Sequence, residues 1–306
     1  MELYFLGTGA GMPSKERNVT AIALTLYDER GTMWLFDCGE GTQHQMLRSP
    51  LKASRLEHIY ITHLHGDHIY GLPGLLTSRS NQGGTSPLVL FGPPGLEALL
   101  EPVLRLSQAH LSYELIYREV SEGPVFEDDR FEVLCAKLDH RIDSYGYRIV
   151  EKDKAGKLDA GKLKALGIPP GPLFGRIKQG ETVTLSDGTV VDGKAFIGPP
   201  IAGHKVVILG DTRKCESAVA LAADADVLVH EATFDGSLND LAQAYYHSTA
   251  LDAARTARQA GAKALIMTHI SSRYQEEETR LLLEEARTEF EQAWIAKDHW
   301  SFPIRP

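Results

Sequence analysis

The stretch Thr62-His63-Leu64-His65-Gly66-Asp67-His68 groups three histidines and one aspartate within six residues. It follows an apolar segment that is typical of a buried strand. Residues two apart in an extended chain face the same side, so we expect His63 and His65 to bind one metal ion while Leu64 turns toward the core. Gly66 permits a tight turn that returns Asp67 and His68 to the same place. The stretch therefore predicts a metal site at the end of a strand.

Further ligand candidates follow other predicted strands. His140, Asp211 and His269 each come after a strand-like segment, where loops from several strands meet at the rim of a sheet. Together with the first cluster they make seven ligand residues, enough for two ions, and a carboxylate such as that of Asp211 is able to bridge them. Imidazole nitrogen and carboxylate oxygen favour zinc, with manganese or iron as alternatives. The sequence thus predicts a binuclear metal site in which zinc is favoured over manganese or iron.

The rest of the pattern is that of an α/β protein. Short apolar or alternating segments predict strands, and segments with helical spacing predict helices between them. Predicted strands include residues 1–6, 20–27, 33–36, 88–91, 130–138, 205–209, 226–229 and 263–267, and predicted helices include 71–80, 96–106 and 248–260. Ser248 or Thr249 is a suitable N-cap for the last helix. The 306 residues are ample for a buried core.

Residues 151–199 differ in composition from the rest. They are rich in Gly, Pro and Lys, with Pro169-Pro170-Gly171-Pro172 at the centre. We expect them to bury little apolar surface and to form an arm inserted into a single domain of residues 1–150 and 200–306. The net charge of −9 argues against a nucleic-acid partner, yet residues 148–178 carry +5 and the rest −14. A local basic element is able to bind phosphates, although a solvated lysine-rich insertion has the same composition.

Composition and the first residues bear on cellular location. The chain has 43% hydrophobic and 24% charged residues, as in an ordinary globular protein. No apolar run approaches the roughly 20 residues of a membrane span, and residues 1–6 lack the pattern of a signal peptide. Cys38, Cys135 and Cys215 are far apart and form no CxxC pair. We expect a cytoplasmic protein with no membrane partner and no disulfide framework, in which Cys38 is a small buried residue.

The histidine cluster resembles a known signature. His63-Leu64-His65-Gly66-Asp67-His68 resembles the HxHxDH motif of metallo-β-lactamase-fold hydrolases. The stretch Asp37-Cys38-Gly39-Glu40-Gly41-Thr42 is similar to the early acidic motif of that superfamily, and His140, Asp211 and His269 have its order and approximate spacing. The resemblance implies an αββα sandwich, two zinc ions and a metal-activated water. It does not select a substrate, because the superfamily includes lactamases, thioesterases, phosphodiesterases and nucleases.

Four further features resemble the ribonuclease Z family, whose members are endonucleases that remove 3′ trailers from precursor tRNA. Pro13-Ser14-Lys15-Glu16-Arg17-Asn18 is similar to its PxKxRN loop, His230-Glu231-Ala232-Thr233 to its HEAT motif, and His247-Ser248-Thr249 to its HST loop. The basic segment with Gly171 and Pro172 occupies the place of its flexible arm. The resemblance spans essentially the whole chain. It implies a zinc-dependent endoribonuclease that leaves a 3′-hydroxyl on the tRNA and a 5′-phosphate on the trailer.

The resemblance also implies roles for individual residues. Asp67 binds metal and accepts a proton, while His247 protonates the leaving 3′ oxygen and Glu231 fixes the tautomer of His247. The implied substrate-binding residues are Lys15, Arg17 and Asn18 at the acceptor end, Ser271 and Arg273 on a phosphate, and Gly171 and Pro172 on the body of the tRNA. The alternatives are an ordinary residue at a helix N-terminus for His247 and a solvated loop for Lys15 and Arg17.

The implied partners are precursor tRNA and a second copy of the chain. In the homodimer of the family, the arm of one subunit serves the active site of the other. One rival interpretation is a small-molecule hydrolase of the same fold, such as a cyclic-nucleotide phosphodiesterase or a thioesterase, which has no need of an arm. Another is a non-catalytic RNA-binding protein with a structural metal ion. The sequence leaves open how tRNAs with an encoded CCA end are handled.

Overall fold

The computed structural model describes residues 1–185 and 187–304. The predicted ranges 151–199 and 200–306 also include Ser186, Arg305 and Pro306, which lie outside the described residues. The chain divides into two compact units. The first comprises Met1–Phe126, Val133–Ile149 and Lys205–Pro306, and the second comprises Glu127–Glu132 and Val150–His204. The role of residues 151–199 as an arm stays a prediction.

Strands and short helices alternate along most of the chain. The strands are β1 (Glu2–Gly7), β2 (Gly9–Ala10), β3 (Ala21–Leu26), β4 (Thr32–Phe36), β5 (Leu56–Tyr60), β6 (Leu88–Gly92), β7 (Leu115–Glu119), β8 (Gly123–Glu127), β9 (Phe131–Leu138), β10 (Ser144–Glu151), β11 (Thr182–Thr184), β12 (Val190–Asp192), β13 (Lys205–Leu209), β14 (Val227–Glu231), β15 (Leu265–Thr268), β16 (Ile270–Ser271), β17 (Ala293–Ile295) and β18 (Ser301–Pro303). The helices are α1 (Thr42–Leu47), α2 (Gly66–Ile69), α3 (Leu72–Asn81), α4 (Leu96–Leu106), α5 (Ala160–Ala165), α6 (Pro172–Lys178), α7 (Glu216–Leu221), α8 (Asn239–Tyr245), α9 (Ala250–Ala260) and α10 (Glu276–Arg287).

Most of the strands form two seven-stranded sheets. One has the order β18-β1-β3-β4-β5-β6-β7, and the other has the order β17-β15-β14-β13-β10-β9-β8. In the first sheet β4, β5, β6 and β7 run parallel, and in the second β13, β14, β15 and β17 run parallel. Parallel strands in one sheet carry their carboxyl ends to the same edge, where ligands commonly bind.

The inner faces of the two sheets meet through aromatic side chains. The ring of Tyr147 on β10 lies 5.2 Å from that of Tyr60 on β5 and 6.1 Å from that of Phe36 on β4, measured between centroids. The Tyr147 hydroxyl donates a hydrogen bond of 2.6 Å to the carbonyl of Ile61. Large aromatic side chains therefore fill the layer between the sheets and link them.

Helices cover the outer faces of both sheets. Side chains alternate along a strand, so Leu35 of β4 faces outward because its neighbours face inward. It belongs to a buried cluster with Leu72 of α3 and Leu100 of α4. On the second sheet Leu265 of β15 packs in a cluster with Ala257 of α9. Strands covered on both faces are apolar throughout, as in parallel sheets generally. The order helix, sheet, sheet, helix confirms the predicted αββα sandwich.

Most predicted elements differ from the observed ones only at their ends. The predicted strand at residues 226–229 extends as β14 to Glu231, so His230 lies within the sheet, where it pairs with Met267. Helix α9 begins at Ala250 and its N-cap is Thr249, which accepts a hydrogen bond from the backbone N–H of Asp252. A reciprocal bond from Thr249 N–H to the Asp252 carboxylate completes a capping box.

The second unit contains a small apolar core. Its buried cluster consists of Leu163, Ile168, Ile177, Val183 and Val191, each no more than 3% exposed. Helices α5 and α6 and the antiparallel pair β11 and β12 each contribute at least one of these side chains. The expectation that residues 151–199 bury little apolar surface is therefore wrong. Each short element has only one or two apolar residues, and a pattern this sparse does not stand out in sequence.

A search of the described helices for a segment both long and apolar enough to cross a lipid bilayer finds none.

Candidate metal centre and active site

Polar side chains collect where strands of the two sheets end. His63 follows β5, His140 follows β9, Asp211 follows β13, and His269 follows β15. Asp37, directly after β4, and His269 both have left-handed backbone conformations, with φ of 57° and 55°. A sharp change of direction at these residues turns the chain out of the sheet and aims the side chains at a common centre.

The first donor group contains His63, His65, His140 and Asp211, whose ligand atoms all lie within 4.8 Å of one another. Nδ1 of His65 lies 3.0 Å from Nε2 of His63 and 3.2 Å from Nε2 of His140. Oδ2 of Asp211 is 3.6 Å from Nε2 of His63. Three imidazole nitrogens and one carboxylate oxygen thus converge on one point.

The second donor group contains Asp67, His68, Asp211 and His269, again with all ligand atoms within 4.8 Å. Nε2 of His269 lies 3.3 Å from Oδ2 of Asp67 and 3.3 Å from Oδ2 of Asp211. Nε2 of His68 is 3.4 Å from Oδ1 of Asp211. Asp211 therefore belongs to both groups, and the structure brings together all the metal-ligand candidates of the sequence.

The protonation of these groups suits a divalent cation. Burial lowers the pKa of His63, His65 and His140, which leaves these imidazoles neutral and able to bind metal. Burial raises the pKa of Asp211, but the neighbouring histidines outweigh it and hold that pKa well below its usual value. Burial also lowers the pKa of His68, but Asp211 and a second carboxylate outweigh it, so metal binding would displace a proton from this ring. The donor set fits a divalent metal site.

Side chains around the donors fix their orientation. The carboxylate of Asp37 accepts hydrogen bonds from the backbone N–H and hydroxyl of Thr62, both at 2.8 Å, and lies 2.7 Å from Nδ1 of His68. Its position directs Nε2 of His68 toward the centre. Thr233 Oγ1 lies 2.9 Å from Nδ1 of His269. Sequence reasoning assigned no role to Thr62 or Thr233, although Thr233 lies in the segment similar to the HEAT motif. Such partners commonly set the tautomer and basicity of metal ligands.

His247 and Glu231 form a pair at the edge of the centre. Nδ1 of His247 lies 2.9 Å from Oε1 of Glu231. The same carboxylate accepts hydrogen bonds from the backbone N–H groups of Thr212, at 2.8 Å, and Ser248, at 3.1 Å. Burial lowers the pKa of His247, but Glu231 outweighs it and raises the pKa to about 9. His247 is therefore positively charged near neutral pH and has a proton to give.

A cavity of about 360 Å³ opens onto this pair and the donor groups. His65, Asp67, Asp211, His247 and His269 all line it. Ser271 and Arg273 line it as well, and Nε of Arg273 donates a hydrogen bond of 3.2 Å to Oγ of Ser271. The exposed Arg273 guanidinium lies over the ring of Phe234, 5.0 Å from its centroid. A cationic group and an aromatic face thus border the same space as the metal donors.

The residues of the Pro13–Asn18 loop have different environments. Lys15 is exposed, but Arg17 is only 6% exposed, and its Nη1 donates hydrogen bonds of 2.7 Å to Oγ1 of Thr8 and to the carbonyl of Ala296. Asn18 Nδ2 donates a hydrogen bond to the carbonyl of Glu40 at 2.8 Å. The guanidinium of Arg17 therefore holds the loop against the body of the first unit, whereas the ammonium of Lys15 is open to a ligand.

The other predicted residues are not among the metal donors. Gly171 and Pro172 belong to the second unit, where Pro172 begins α6 and Gly171 is exposed. His230, which follows a strand-like segment as the metal-ligand candidates do, is fully buried, with Nδ1 2.8 Å from the carbonyl of Glu231, and it is in none of the donor groups. Cys38 is fully buried, and burial raises its pKa to about 12.

The chain is similar to known proteins over its whole length. The ribonuclease Z of Geobacillus kaustophilus is 57% identical over 304 residues, covering 99% of each chain. The ribonuclease Z of Listeria monocytogenes strain EGD-e is 56% identical with the same coverage. The chain belongs to the ribonuclease Z family. This confirms the resemblance that the Pro13–Asn18 loop and the motifs near His230 and His247 indicate.

Solved structures similar to this chain show its wider fold class. The human tRNase Z, short form, has a TM-score of 0.72 and 32% identity, with 100% of both chains covered. The metallo-β-lactamase fold protein YhfI from Bacillus subtilis has a TM-score of 0.67 and 19% identity, with 98% of both chains covered, and it shows the shared fold. A family model described as anti-Pycsar protein Apyc1 matches residues 1–148. The metallo-β-lactamase fold is therefore confirmed.

Proposed function

We propose that the protein is a metal-dependent endoribonuclease that removes the 3′ trailer from precursor tRNA. Cleavage leaves a 3′-hydroxyl on the tRNA and a 5′-phosphate on the trailer. The observation that carries this proposal is the pair of donor groups sharing Asp211, with the charged His247–Glu231 pair beside them, in a chain 57% identical to a ribonuclease Z.

The centre would hold two divalent ions. The nitrogen and oxygen donors favour zinc over manganese or iron. His63, His65, His140 and Asp211 would hold one ion, and Asp67, His68, His269 and Asp211 would hold the other. When bound, such ions supply Lewis-acid stabilisation of charge on phosphoryl oxygens and lower the pKa of water. The backbone N–H of Gly11 donates a hydrogen bond of 2.8 Å to Oδ2 of Asp67, which holds that carboxylate at the cavity.

Two side chains would move protons. Asp67 lines the cavity and would accept a proton from the attacking water. Glu231 binds Nδ1 of His247, so the proton on Nε2 is the one available to the 3′ oxygen that leaves. The backbone N–H groups of Thr212 and Ser248 keep the Glu231 carboxylate in place for this task.

Other contacts would bind the rest of a precursor tRNA. We assign Lys15 and Asn18 to the acceptor end, with Arg17 holding their loop, and Ser271 and Arg273 to a phosphate. Residues 151–199, with Gly171 and Pro172 at the centre, would bind the body of the tRNA by shape and phosphate contacts, which the basic character of residues 148–178 supports. On the resemblance to the family, we propose a cytoplasmic homodimer in which the arm of one subunit serves the other.

The decisive experiment incubates the purified protein with a precursor tRNA bearing a 3′ trailer, with and without a chelator. We expect a chelator-sensitive cut beside the last nucleotide before the trailer, and no such cut would overturn the proposal. His247→Ala should lose most of this cleavage while binding metal normally, whereas His44→Ala, which changes an exposed histidine, should not. Full cleavage by His247→Ala would remove the acid role and favour a different proton donor.

Deletion of residues 152–198 tests the arm against the small-molecule rivals. We expect the shortened protein to hydrolyse bis(p-nitrophenyl) phosphate at the original rate and to lose cleavage of precursor tRNA. If the deletion leaves both activities unchanged, these residues are not a tRNA-binding arm. If the full-length chain hydrolyses only the small ester, a small-molecule phosphodiesterase is the better interpretation.

A further inference from the structure

A second cavity, of about 390 Å³, adjoins the metal centre, and we call it the Tyr70 cavity. Tyr70 and Met12, which are 68% and 61% exposed, line this cavity together with Val19. Exposed apolar side chains beside a catalytic centre indicate a binding surface more often than a random surface position does. Neither Tyr70 nor Met12 has a role in the proposed catalysis that would account for its exposure at this place.

The ring of Tyr70 is fixed in place by the metal-binding loop. A Cβ atom added to Gly66 would come within 2.2 Å of Cε2 of Tyr70 and 2.5 Å of its Cζ, so the ring lies directly on the backbone of this glycine. The backbone N–H of Tyr70 also donates a hydrogen bond of 2.9 Å to the carbonyl of Gly66. Only glycine at position 66 leaves room for this packing. Tyr70 therefore presents an aromatic ring whose position is tied to that of His65 and Asp67.

The two cavities meet at the centre of the proposed reaction. Gly11, His65 and Asp67 line both of them, whereas His247 lines only the first. The phosphate to be cut must lie at the metal donors where the cavities join. Because His247 protonates the 3′ oxygen, the nucleoside that carries this oxygen occupies the first cavity. The next nucleoside along the chain, on the other side of the phosphate, then enters the Tyr70 cavity.

The chemistry of the Tyr70 cavity suits a base and not a second phosphate. Apart from the donors it shares with the centre, its charged side chain is Glu40, whose carboxylate repels phosphate. Its other surfaces are the tyrosine ring, a thioether and aliphatic groups. Bases stack on aromatic side chains with little regard to sequence, because every base has a π face. Methionine adapts its shape to whichever base lies beside it.

We propose that Tyr70 is a stacking platform for the base of the first trailer nucleotide, with Met12 beside it. This inference rests on the proposed function, since it needs an RNA chain that continues past the cut. The platform tolerates any base, so it would hold the trailer in the cleft without demanding a particular trailer sequence. It places the RNA on both sides of the cut, which aligns the phosphate with the metal donors.

The test uses two precursor tRNAs that differ only in whether the first trailer nucleotide carries a base or is abasic. With the intact protein we expect the abasic precursor to have kcat/KM roughly tenfold lower, in the range measured for base–aromatic stacking. Tyr70→Ala should cleave the normal precursor about as slowly as the intact protein cleaves the abasic one, with no further loss on the abasic precursor. Tyr70→Phe should behave as the intact protein. Tyr27→Ala, at an exposed tyrosine that does not line the Tyr70 cavity, should keep the tenfold difference.

Several outcomes would overturn the platform. Equal rates on both precursors with the intact protein would show that the base contributes nothing. If the tenfold difference in kcat/KM between the two precursors persists in both Tyr70→Ala and Tyr70→Leu, the base lies elsewhere. The leucine variant is included because it keeps apolar volume over Gly66, where alanine could disturb the metal-binding loop. As a control, an abasic nucleotide immediately before the cut should lower kcat/KM to the same extent in the intact protein and in every variant. Absence of any precursor cleavage would instead refute the proposed function, so the two failures are distinguishable.

Discussion

The carboxylate of Asp298 connects segments that are far apart in the chain. Oδ1 accepts a hydrogen bond of 2.8 Å from the hydroxyl of Thr8, and Oδ2 accepts bonds from the backbone N–H of Asn18, at 2.7 Å, and from Nε2 of Gln45, at 2.8 Å. The hydroxyl of Thr8 also accepts the hydrogen bond from the buried guanidinium of Arg17. We predict that Asp298→Ala destabilises the fold, because it leaves donors in this network without an acceptor.

The size of the effect follows from the number of bonds lost. A hydrogen bond to a charged acceptor contributes about 1.5–3 kcal/mol when buried. Burial outweighs the hydrogen bonds and raises the pKa of Asp298, so the ionised carboxylate is itself disfavoured and the low end of that range applies. The bonds from the buried Thr8 and Gln45 side chains count at about 1.5 kcal/mol each, whereas the half-buried N–H of Asn18 can be hydrated instead. We therefore expect a loss of about 3 kcal/mol in the free energy of unfolding. For a protein of this length, that lowers Tm by about 5 °C.

Thermal unfolding of the metal-loaded protein followed by circular dichroism measures this shift. Asp298→Asn is the informative companion, because its amide oxygen still accepts from Asn18 and Gln45 while its NH₂ group meets the Thr8 hydroxyl, so we expect less than half of the loss. Asp129→Ala, which changes an exposed aspartate, serves as control and should leave Tm unchanged. If the Tm of Asp298→Ala lies within 1 °C of that of the intact protein, which is roughly the effect of a neutral surface change, then these bonds do not hold the Pro13–Asn18 loop in place.

Further predictions concern the active site and the thiols. Glu231→Gln removes the charge that contributes most to raising the pKa of His247 to about 9. The alkaline limb of the kcat profile for precursor cleavage should therefore move to lower pH, and an unmoved limb would contradict the pairing. Chelation should lower Tm by several degrees and added zinc should restore it, while Asp211→Ala, which loses the carboxylate common to both donor groups, should show little response to zinc. Iodoacetamide should label the partly exposed Cys215 in the native protein and Cys38 only after unfolding, because Cys38 is fully buried and its pKa is raised to about 12. Peptide mass spectrometry measures the labelling of each thiol. Equal labelling of both in the native protein would show that Cys38 is accessible.

Much of the centre was predictable because its ligands follow local rules. The alternation of His63 and His65 along an extended segment and the turn at Gly66 depend only on neighbouring residues. The placement of Asp211 and His269 depends on one general property, that parallel strands end at a common edge. These rules predict which residues meet, and the structure brings them together. They do not set the distances, which depend on the packing of both sheets.

The partners of the ligands were not predictable in the same way. Thr233 contacts His269 across 36 positions, and Arg17 reaches the carbonyl of Ala296 across 279. No local pattern records such pairs, and a threonine or an arginine has many ordinary uses. The burial of Arg17 follows from Asp298 and Thr8, whose positions are known only once the chain has folded. The small core of the second unit was missed for a related reason, since its apolar residues are spread thinly over several short elements.

The left-handed backbone at Asp37 and His269 limits how this sequence can change over evolutionary time. A branched or bulky side chain at either position costs about 1–2 kcal/mol in backbone strain before any effect on metal binding. Asparagine and glycine avoid most of that strain, but they remove the carboxylate or the imidazole. Neutral drift at these positions therefore has few routes. A lineage that replaced either residue would lose a metal donor at position 269 or, at position 37, the carboxylate that orients His68.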